Sequence, residues 1–595
     1  MAAVSAAGKR LRPAPGEENF SDFIRESRYY VDKTRYLKTI FESSAGPLLM
    51  LRPRRFGKTL MMSTIRYFFE MNYKTPGDTS VQQELFKRLA VMHDTRFCRE
   101  HMGQYPVVSL SLKDTGGLNF RNACAMLGET IFDLALRFDW LRDSRILTAE
   151  EKEAFSLLLD RDQLCSGTAD SINILQSSLL TLCTALFRHC GRKPLLLIDE
   201  YDVPLHKAAM DGYYGSMIKV IGPMLNMALK SDECISKVIL AGCLRATKEG
   251  IFTGLSSCSV SSVLTDDDSL SAAFGFTPDE VQTMLSYYGL GNLHDRSRNF
   301  YCGYRIGSKE IFCPWDVTCY VSDLLLPRAG GPESFNPPAY WNRTTGSRII
   351  TEYMPHLSEE EAAMLQDLLD GGSAGIKVSE EMDYGDFSLD DAAQFWSLLV
   401  YTGYLTLEER GTDGVCRFRI PSAEIRKYFS SNIEAYYQRR GGAYFESCSR
   451  AVAEALLDVN AERLAAALNR ALSTFVSIRG TSGMARGESC YHDMLDGIVE
   501  SASSLITKHC PDTDEGEECA DITILSDDFT AAMLLEIKCA SSGSDLRCKA
   551  QEALRQIIDK DCAETMRYCG PSKIFGFGIA FFGRQCAVEA QELPL

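Results

Sequence analysis

The chain has 595 residues, of which 24% are charged, and its formal net charge is −17. This length predicts several domains, and the composition is typical of a globular protein. The negative charge excludes a basic coat over the whole surface, although the first sixty residues hold twelve Lys/Arg against six Asp/Glu. No stretch approaches the roughly 18 apolar residues of a membrane span, which argues against an integral membrane protein.

The cysteines predict an intracellular protein. There are 21 of them, at irregular spacings and without a CxxC pair. In a chain of this length, and with no secretion signal, that pattern indicates reduced thiols and a cytoplasmic location. The first eighteen residues, which are small, basic and proline-containing at the start, are expected to form a flexible tail.

The first chemical motif lies at residues 49–59, where an apolar strand enters a loop that ends in Gly57-Lys58-Thr59. Strand, loop and helix in this order bind phosphate, because backbone N–H groups and a helix N-terminus meet the anion. Lys58 would supply a point charge for the outer phosphates, and Thr59 would reach a Mg²⁺ ion. Arg52 stands where the general pattern GxxxxGK[ST] has its first glycine, so the motif needs a partner elsewhere in the chain.

That partner lies at residues 194–202. Four aliphatic residues, 195–198, predict a buried parallel strand, and Asp199 and Glu200 follow at its carboxyl end. Ligands of open parallel sheets bind at this end. We expect Asp199 to order Mg²⁺ or its water, and Glu200 to orient and polarise an attacking water. The alternative is a strand followed by a solvated acidic turn.

The segments 30–34 and 52–60 together resemble the AAA-ATPase-like family that is usually fused to a PD-(D/E)XK nuclease-like domain. Arg-Pro-Arg-Arg-Phe-Gly-Lys-Ser/Thr is the usual phosphate loop of that family, so the resemblance makes Arg52 a family trait. It also implies that ATP is the cofactor. The residues expected to bind it are Arg54, Arg55, Phe56, Gly57, Lys58 and Thr59, with Asp199.

A further buried strand is predicted at Lys237–Gly242, after a strand at residues 107–112 and a mostly helical stretch. Related P-loop ATPases place a polar sensor at the end of this strand, and relatives usually have Thr-Gly where this chain has Ala241-Gly242. The resemblance therefore does not extend to a hydroxyl sensor at this position. Arg245 matches the basic residue of the family and is expected to contact phosphate, with a surface salt bridge as the alternative.

The middle of the chain predicts a helical lid. Thr277 and Glu280 form a capping box at the start of a helix. Further helices follow, and residues 405–420 predict a hairpin that closes through Gly411–Gly414. Helices with a small hairpin suggest a winged-helix-like region, which ends near Arg439–Gly442.

The C-terminal region holds a second chemical site, which follows from strand register. Residues 520–526 and 531–539 predict two strands joined by a turn. A hairpin centred between residues 528 and 529 places Asp521 opposite Glu536, and Lys538 shares that face. Two facing carboxylates repel each other unless a cation lies between them. Oxygen ligands of this kind suit Mg²⁺ or Mn²⁺.

Asp521, Glu536-Ile537-Lys538 and Gln556 resemble the metal-binding core of PD-(D/E)XK phosphodiesterases. By that resemblance Asp521 and Glu536 hold the metal, Lys538 orients or activates water, and Gln556 supports the site. The alternative is a solvated Asp and a Glu–Lys pair on a half-exposed hairpin. The chain departs from its relatives at Glu518-Cys519-Ala520, where they commonly carry Gly-Arg-aromatic.

These observations predict an α/β multidomain protein: a tail (1–18), a P-loop AAA-like ATPase domain with a parallel sheet (19–285), a helical lid (286–440) and a restriction-endonuclease-like α/β domain (441–595). The expected function is ATP binding and hydrolysis coupled to metal-dependent cleavage of nucleic acid. We favour DNA as the partner, expect no membrane contact, and consider a homo-oligomer. Two alternatives stay open: a nucleotide-switched binding protein with an inactive nuclease-like domain, and a nuclease whose nucleotide is only structural.

Overall fold

A computed structural model of the protein describes most of the chain. The residues that the structure describes are 10–43, 46–245, 251, 258–265, 267–327, 331–341, 358–379, 392–411, 414–429, 449–475, 491–492, 495–496, 498–499, 502, 505–508, 520–526, 530–560, 562–563, 566, 570–582 and 585–594. The predicted domain boundary at residue 440 lies outside these ranges. So do residues 518 and 519, where the sequence departs from its relatives.

The strands lie in four sheets. In chain order they are β1 (Leu48–Leu51), β2 (Val107–Ser111), β3 (Leu195–Asp199), β4 (Lys237–Gly242), β5 (Ser259–Ser261), β6 (Cys302–Ile306), β7 (Lys309–Phe312), β8 (Ala374–Lys377), β9 (Thr406–Glu409), β10 (Val415–Arg419), β11 (Ile506–Lys508), β12 (Ile522–Ser526), β13 (Ala531–Cys539), β14 (Lys573–Phe582) and β15 (Gln585–Leu593).

The helices vary from one turn to six. They are α1 (Phe20–Arg25), α2 (Tyr36–Glu42), α3 (Lys58–Phe69), α4 (Ser80–Phe86), α5 (Thr95–His101), α6 (Phe120–Leu136), α7 (Ala149–Leu157), α8 (Arg161–Leu164), α9 (Ala169–Cys190), α10 (Val203–Met210), α11 (Tyr214–Leu229), α12 (Pro278–Tyr287), α13 (His294–Tyr301), α14 (Pro314–Leu324), α15 (Glu359–Leu369), α16 (Ala392–Thr402), α17 (Ala461–Phe475) and α18 (Leu546–Asp559).

The chain divides into two compact units. Unit 1 comprises residues 1–346 and 373–429, and unit 2 comprises residues 347–372 and 430–595. Unit 1 therefore contains both the predicted ATPase domain and most of the predicted lid. Unit 2 contains the predicted nuclease-like domain together with α15.

Unit 1 is built around a five-stranded parallel sheet of order β2-β3-β4-β1-β5. The four strands predicted from aliphatic runs form its consecutive members, and all residues of β1, β3 and β4 are buried. Near-continuous apolar strands are expected where helices cover both faces of a parallel sheet. Because parallel strands present their carboxyl ends at one edge, the ends of β1, β3 and β4 come together.

Two smaller antiparallel sheets complete unit 1. Strands β6 and β7 form a hairpin, and β10 lies between β8 and β9. The predicted hairpin at 405–420 is present as β9 and β10. The capping box at the start of α12 is also confirmed, because Thr277 Oγ1 and the Glu280 carboxylate each accept the other residue's N–H. The same Glu280 carboxylate lies 2.6 Å from Lys33 Nζ.

Unit 2 holds a mixed sheet of order β11-β12-β13-β14-β15, in which only β13 and β14 run parallel. Alternate residues of β13 face two different cores. Met533 and Leu535 pack in the cluster that includes α17, whereas Ala532 and Leu534 pack in the cluster that includes Ile557 of α18. The sheet therefore separates α17 from α18.

Two further predictions concern the chemistry of the chain. Fifteen of the described cysteines are free thiols, but Cys562 is disulfide-bonded, so the prediction of reduced thiols does not extend to that residue. Within the described part of the chain, no helix combines the length and apolar character needed to cross a membrane.

Candidate functional site

The phosphate loop joins the carboxyl end of β1 to the first residue of α3. Gly57 has φ +85°, a left-handed conformation that glycine adopts without strain, and it turns the chain so that Lys58 begins the helix. An added Cβ at Gly57 would meet no described atom within 4 Å. The space on the Cβ side of Gly57, at the N-terminus of α3, is thus unobstructed, which is compatible with an anion-binding loop.

Lys58 lies at the centre of this site, almost fully buried. Its Nζ donates to Arg52 O at 3.1 Å and to Pro53 O at 3.2 Å, and it lies 3.7 Å from Glu200 Oε1. Burial lowers the pKa of Lys58, but its interactions with the neighbouring Cys243, Glu200, Asp199 and Asp202 outweigh burial and leave the pKa above its ordinary value. The lysine therefore stays charged.

Asp199 ends β3 beside Lys58 and Thr59. Its Oδ1 accepts the Glu200 N–H at 3.1 Å, whereas its buried Oδ2 has no hydrogen-bond partner among the described residues. Burial raises the pKa of Asp199 to about 6, and a hydrogen bond from the Thr59 side chain opposes that rise. An orphaned carboxylate oxygen next to a hydroxyl fits the oxygen ligands that Mg²⁺ requires.

Glu200 is held in a strained conformation. Its φ is +52°, and Arg55 in the phosphate loop has φ +67°. Left-handed conformations of this kind cost about 1–3 kcal/mol in a non-glycine residue and concentrate at functional sites. The Glu200 carboxylate oxygen Oε1 lies 3.7 Å from Lys58 Nζ, beside the phosphate loop.

Asp202 is a site residue to which the sequence analysis assigns no role. It is buried, and its Oδ2 accepts N–H groups of Cys243 and Leu244, each at 3.0 Å. These residues follow β4 and lead to Arg245. Burial, followed by the charge of Glu200, raises the pKa of Asp202. The only signal in the sequence is that Asp202 is a further acid, three residues after Asp199. Its two hydrogen bonds hold the turn that follows β4.

Arg52, which stands where the general pattern has its first glycine, is a buried residue with a structural role. Its guanidinium donates to Leu51 O and Ser261 O at 2.8 Å, to Ser261 Oγ at 3.0 Å and to Leu270 O at 3.1 Å. It also lies over the ring of Phe274. Burial lowers the pKa of Arg52 to about 10. The arginine thus fastens the start of the loop to β5 and to the segment after it.

The remaining loop residues point in different directions. Phe56 is buried and packs edge-on against Tyr304, with ring centroids 4.9 Å apart, so its backbone rather than its ring is left for a ligand. The guanidinium of Arg55 lies 4.0 Å from the ring centroid of Trp315. Arg54 lies near His206 of α10, where burial and then the charge of Arg54 lower the pKa of the histidine to about 4.

Arg245 is half-buried at the end of a described stretch. Its charge lowers the pKa of Cys258, although burial raises the pKa of this thiol overall. Ala241 is buried and pairs with Met50 of β1, and its carbonyl accepts the Tyr201 N–H. The position where relatives carry a threonine therefore lies inside the sheet at the site.

The second candidate site lies in unit 2 and begins with a strand register. Ile522 pairs with Leu535 and Thr523 with Leu534, which is the register that the sequence predicts. One step further, this register places Asp521 opposite Glu536. The Asp521 Oδ2 atom accepts the N–H of Ile537 at 2.7 Å. The two carboxylates are thus neighbours on adjoining strands.

Glu536 shows the electrostatic consequence of this arrangement. Burial, followed by the charge of Asp521, raises the pKa of Glu536 to about 7, against the opposing charges of Lys538 and Lys560. Gln556 of α18 donates its side-chain N–H to Glu536 Oε1. Lys538 lies two residues along β13 and therefore on the same face. The structure brings together all four residues that the sequence predicts for this site.

His492 borders the same site. Its Nε2 lies 3.0 Å from Asp521 O, and its Nδ1 lies 3.7 Å from the Asp496 carboxylate. In the described part of the chain, no three side chains of His, Cys, Asp or Glu form a group able to hold a metal by themselves. A cation at Asp521 and Glu536 would therefore take further ligands from backbone oxygens, water or substrate.

Comparison with known proteins finds a similarity that lies within unit 1. Residues 15–252 match the model of a family described as predicted AAA-ATPase. The matched range contains Lys58, Thr59, Asp199, Glu200 and Arg245, so this part of the chain is similar to an AAA-ATPase-like domain. Asp521 and Glu536 lie outside it.

A relative from Azotobacter chroococcum mcd 1, named "Uncharacterized protein in vnfD 5'region", is 24% identical over 402 residues. The alignment covers 67% of this chain and 65% of the relative, so the chain spans about two thirds of the length of the relative that it matches.

Proposed function

We propose that unit 1 binds and hydrolyses ATP together with Mg²⁺ at the phosphate loop. The observation that carries this proposal is the convergence of Lys58 and Glu200, whose Nζ and Oε1 atoms lie 3.7 Å apart at the carboxyl edge of a parallel sheet. Lys58 and the N-terminus of α3 supply positive charge for phosphate. The match of residues 15–252 to an AAA-ATPase-like family supports the same assignment.

Each side chain has a distinct task in this proposal. Lys58 exchanges its bonds to the carbonyls of Arg52 and Pro53 for bonds to the outer phosphates. Thr59 and Asp199 hold the metal or its water, and Glu200 orients and polarises the attacking water. Bound Mg²⁺ would neutralise the charge that develops on the phosphate oxygens. Asp202 keeps the turn after β4 in place.

The test is ATP turnover by a Glu200→Gln variant. Loss of a group that polarises water should lower turnover by about 10²- to 10⁴-fold while leaving ATP binding intact. Glu100→Gln, an exposed glutamate that pairs with Arg96, is the matched control and should keep full turnover. Equal, near-zero turnover in all three proteins, with ATP still bound, would favour the alternative in which the nucleotide is only structural.

A second function is favoured by the pair of carboxylates in unit 2. We propose that Asp521 and Glu536 bind Mg²⁺ or Mn²⁺ and that the site cleaves a nucleic-acid phosphodiester. The pKa of Glu536 is raised because burial and the repulsion by Asp521 both disfavour its charged form. A bound divalent cation would offset both costs by favouring the charged carboxylate. Lys538 would orient water and stabilise the charge on phosphate, and Gln556 would support Glu536.

The alternative for unit 2 is a domain that binds nucleic acid without cutting it. Mn²⁺-dependent cleavage of DNA and RNA should be measured for wild type, Asp521→Ala and Lys538→Ala. Loss of cleavage in both variants supports the nuclease, with Lys549→Ala as a control because Lys549 is paired with Glu552 on α18. Binding without cleavage by the wild type supports the alternative.

Coupling between the two activities is also a proposal. Cleavage should be compared with and without ATP in the wild type and in Glu200→Gln. Coupling is supported if ATP changes the cleavage rate of the wild type and has a different effect on Glu200→Gln, which should bind ATP without hydrolysing it. Equal rates under all conditions would separate the two activities.

A further inference from the structure

The phosphate loop is held by residues that lie beyond the matched range of 15–252. Trp315 at the start of α14 covers the guanidinium of Arg55 at 4.0 Å. Tyr304 of β6 packs against Phe56 and donates its hydroxyl to Gly403 O at 2.8 Å. An added Cβ at Gly403 would lie 2.8 Å from Pro53 Cβ. Strand β6, the start of α14 and the residue that follows α16 therefore all contact the loop.

Arg55 is the strained member of this contact. Its φ of +67° is unfavourable for a side chain with a Cβ, so the surrounding contacts must hold it. The Cys313 thiol, two residues before Trp315, lies 3.8 Å from Arg55 O. The backbone and the guanidinium of Arg55 are thus both engaged by the start of α14.

A buried pair of acids lies next to this contact. Asp316 follows Trp315 and is buried, as is Glu424. Burial raises the pKa of both carboxyls, and the charge of Asp316 raises that of Glu424 further. Hydrogen bonds with Glu424 and Cys313, followed by the charge of Arg55, oppose the rise at Asp316. Glu424 also accepts the N–H groups of Tyr340 and Trp341. The charge of Arg55 therefore acts on Asp316 at the start of α14 as well as belonging to the phosphate loop.

We propose that Arg55 distinguishes a nucleoside triphosphate from a diphosphate, by leaving the face of Trp315 when a terminal phosphate is bound. The inference rests on the proposed ATP site. An anionic phosphate attracts a guanidinium more strongly than an aromatic ring does, because charge-assisted hydrogen bonds exceed cation–π contacts. When Arg55 leaves, Trp315 and Asp316 lose their cation, so the start of α14 senses which nucleotide is present.

The experiment combines tryptophan emission with calorimetric titration of the full-length protein, using a non-hydrolysable ATP analogue and ADP with Mg²⁺. The chain has four tryptophans, and Trp315 is the one stacked on Arg55. Emission should change with the analogue and not with ADP. Trp315→Phe should abolish the change while keeping the affinity within about 3-fold. Trp140→Phe is the control, because Trp140 packs with Tyr73 and His189, away from the loop.

A second variant tests the arginine itself. Arg55→Gln should weaken binding of the analogue by about 10-fold or more, because a charge-assisted bond is lost, and should leave the ADP affinity within about 2-fold. If calorimetry shows that the analogue binds, but emission does not change or changes equally with ADP, the inference about Arg55 is overturned and the proposed ATP site stands. Absence of calorimetric binding by the wild type overturns both.

Discussion

At the scale of single residues, both sites contain charges that the protein compensates only in part. Asp199 keeps a buried oxygen without a partner among the described residues, and Glu536 faces Asp521 across a strand pair. Arg52 is buried among carbonyl and hydroxyl acceptors. Buried polar groups of this kind cost stability unless a ligand or a neighbour completes them. Ligand binding and stability are therefore linked at these positions.

Arg52→Met should destabilise unit 1 by about 2–4 kcal/mol, because the acceptors of Ser261 and Leu270 lose their buried donor. The measurement is urea unfolding of the full-length protein. Arg96→Met is the control, since Arg96 is an exposed residue whose replacement should change stability by less than about 0.5 kcal/mol. Equal stability of the two variants would show that the hydrogen bonds of Arg52 do not stabilise unit 1.

Glu536→Gln should alter how stability depends on pH. The folded protein keeps the Glu536 proton up to pH about 7, whereas the unfolded chain releases it near its ordinary value of 4.5. This contribution to metal-free stability is full below pH 4.5 and is lost as pH rises through 7. The variant should therefore gain stability relative to wild type between pH 5.5 and pH 8 in urea unfolding with a chelator.

Glu552→Gln is the control for that experiment. Glu552 is exposed on α18, and its hydrogen bond to Lys549 lowers the pKa of its carboxyl, which is the opposite direction. This variant should show no relative gain at pH 8. A pH profile of Glu536→Gln that parallels the wild type would contradict the raised pKa of Glu536.

At the scale of helices and strands, the sequence predicts those features that a local pattern of apolar residues reveals. The aliphatic runs of β1, β3 and β4 are all buried strands, and the register of β12 with β13 follows from their alternation. A shift of one residue would turn Ile522 and Ile524 out of their core, so the pattern allows one register.

Other features leave no local signal. The pairing of β8 with β10, the hairpin of β6 and β7, and the approach of Asp316 to Glu424 join residues that are distant in sequence or lie in short, irregular strands. The burial of Arg52 is likewise invisible, because arginine usually predicts an exposed or ligand-binding position. Asp202 was visible only as one more acid after Asp199. Tertiary contacts decide these positions.

The element that closes on the phosphate loop can be tested at Gly403, which follows α16. Gly403→Ala should destabilise the protein and weaken ATP binding, because φ is +93° and the new Cβ would lie 2.8 Å from Pro53 Cβ. Gly414→Ala is the matched control: φ is +76°, but no described atom lies within 4 Å of its Cβ. It should cost only the backbone penalty of about 1 kcal/mol and leave ATP binding unchanged. Equal ATP affinities of the two variants would contradict the contact with the loop.

At the scale of the whole molecule, each of the two compact units carries its own sheet and its own candidate site. The phosphate loop lies in unit 1, and the Asp521–Glu536 pair lies in unit 2. A ligand that binds only the folded form of one unit should stabilise that unit by mass action, by about 2.7 kcal/mol at a concentration 100 times its Kd.

Calorimetric melting should therefore show two transitions that respond to different ligands. Mg²⁺ with a non-hydrolysable ATP analogue should raise one transition, and Mn²⁺ alone should raise the other, because the two sites belong to different units. Lys58→Ala should remove the first shift only, and Asp521→Ala the second only. A single transition that responds to both ligands would contradict the assignment of one site to each unit.

The central claim is that residues 52–59, with Asp199 and Glu200, bind ATP, and its most direct test is a calorimetric titration of Mg²⁺–ATP into wild type and Lys58→Ala. We predict one site per chain in the wild type. The variant should bind at least about 100-fold more weakly, because it loses charge-assisted bonds to phosphate worth about 3 kcal/mol. Absence of binding by the wild type, or equal affinity of both proteins, would contradict the account.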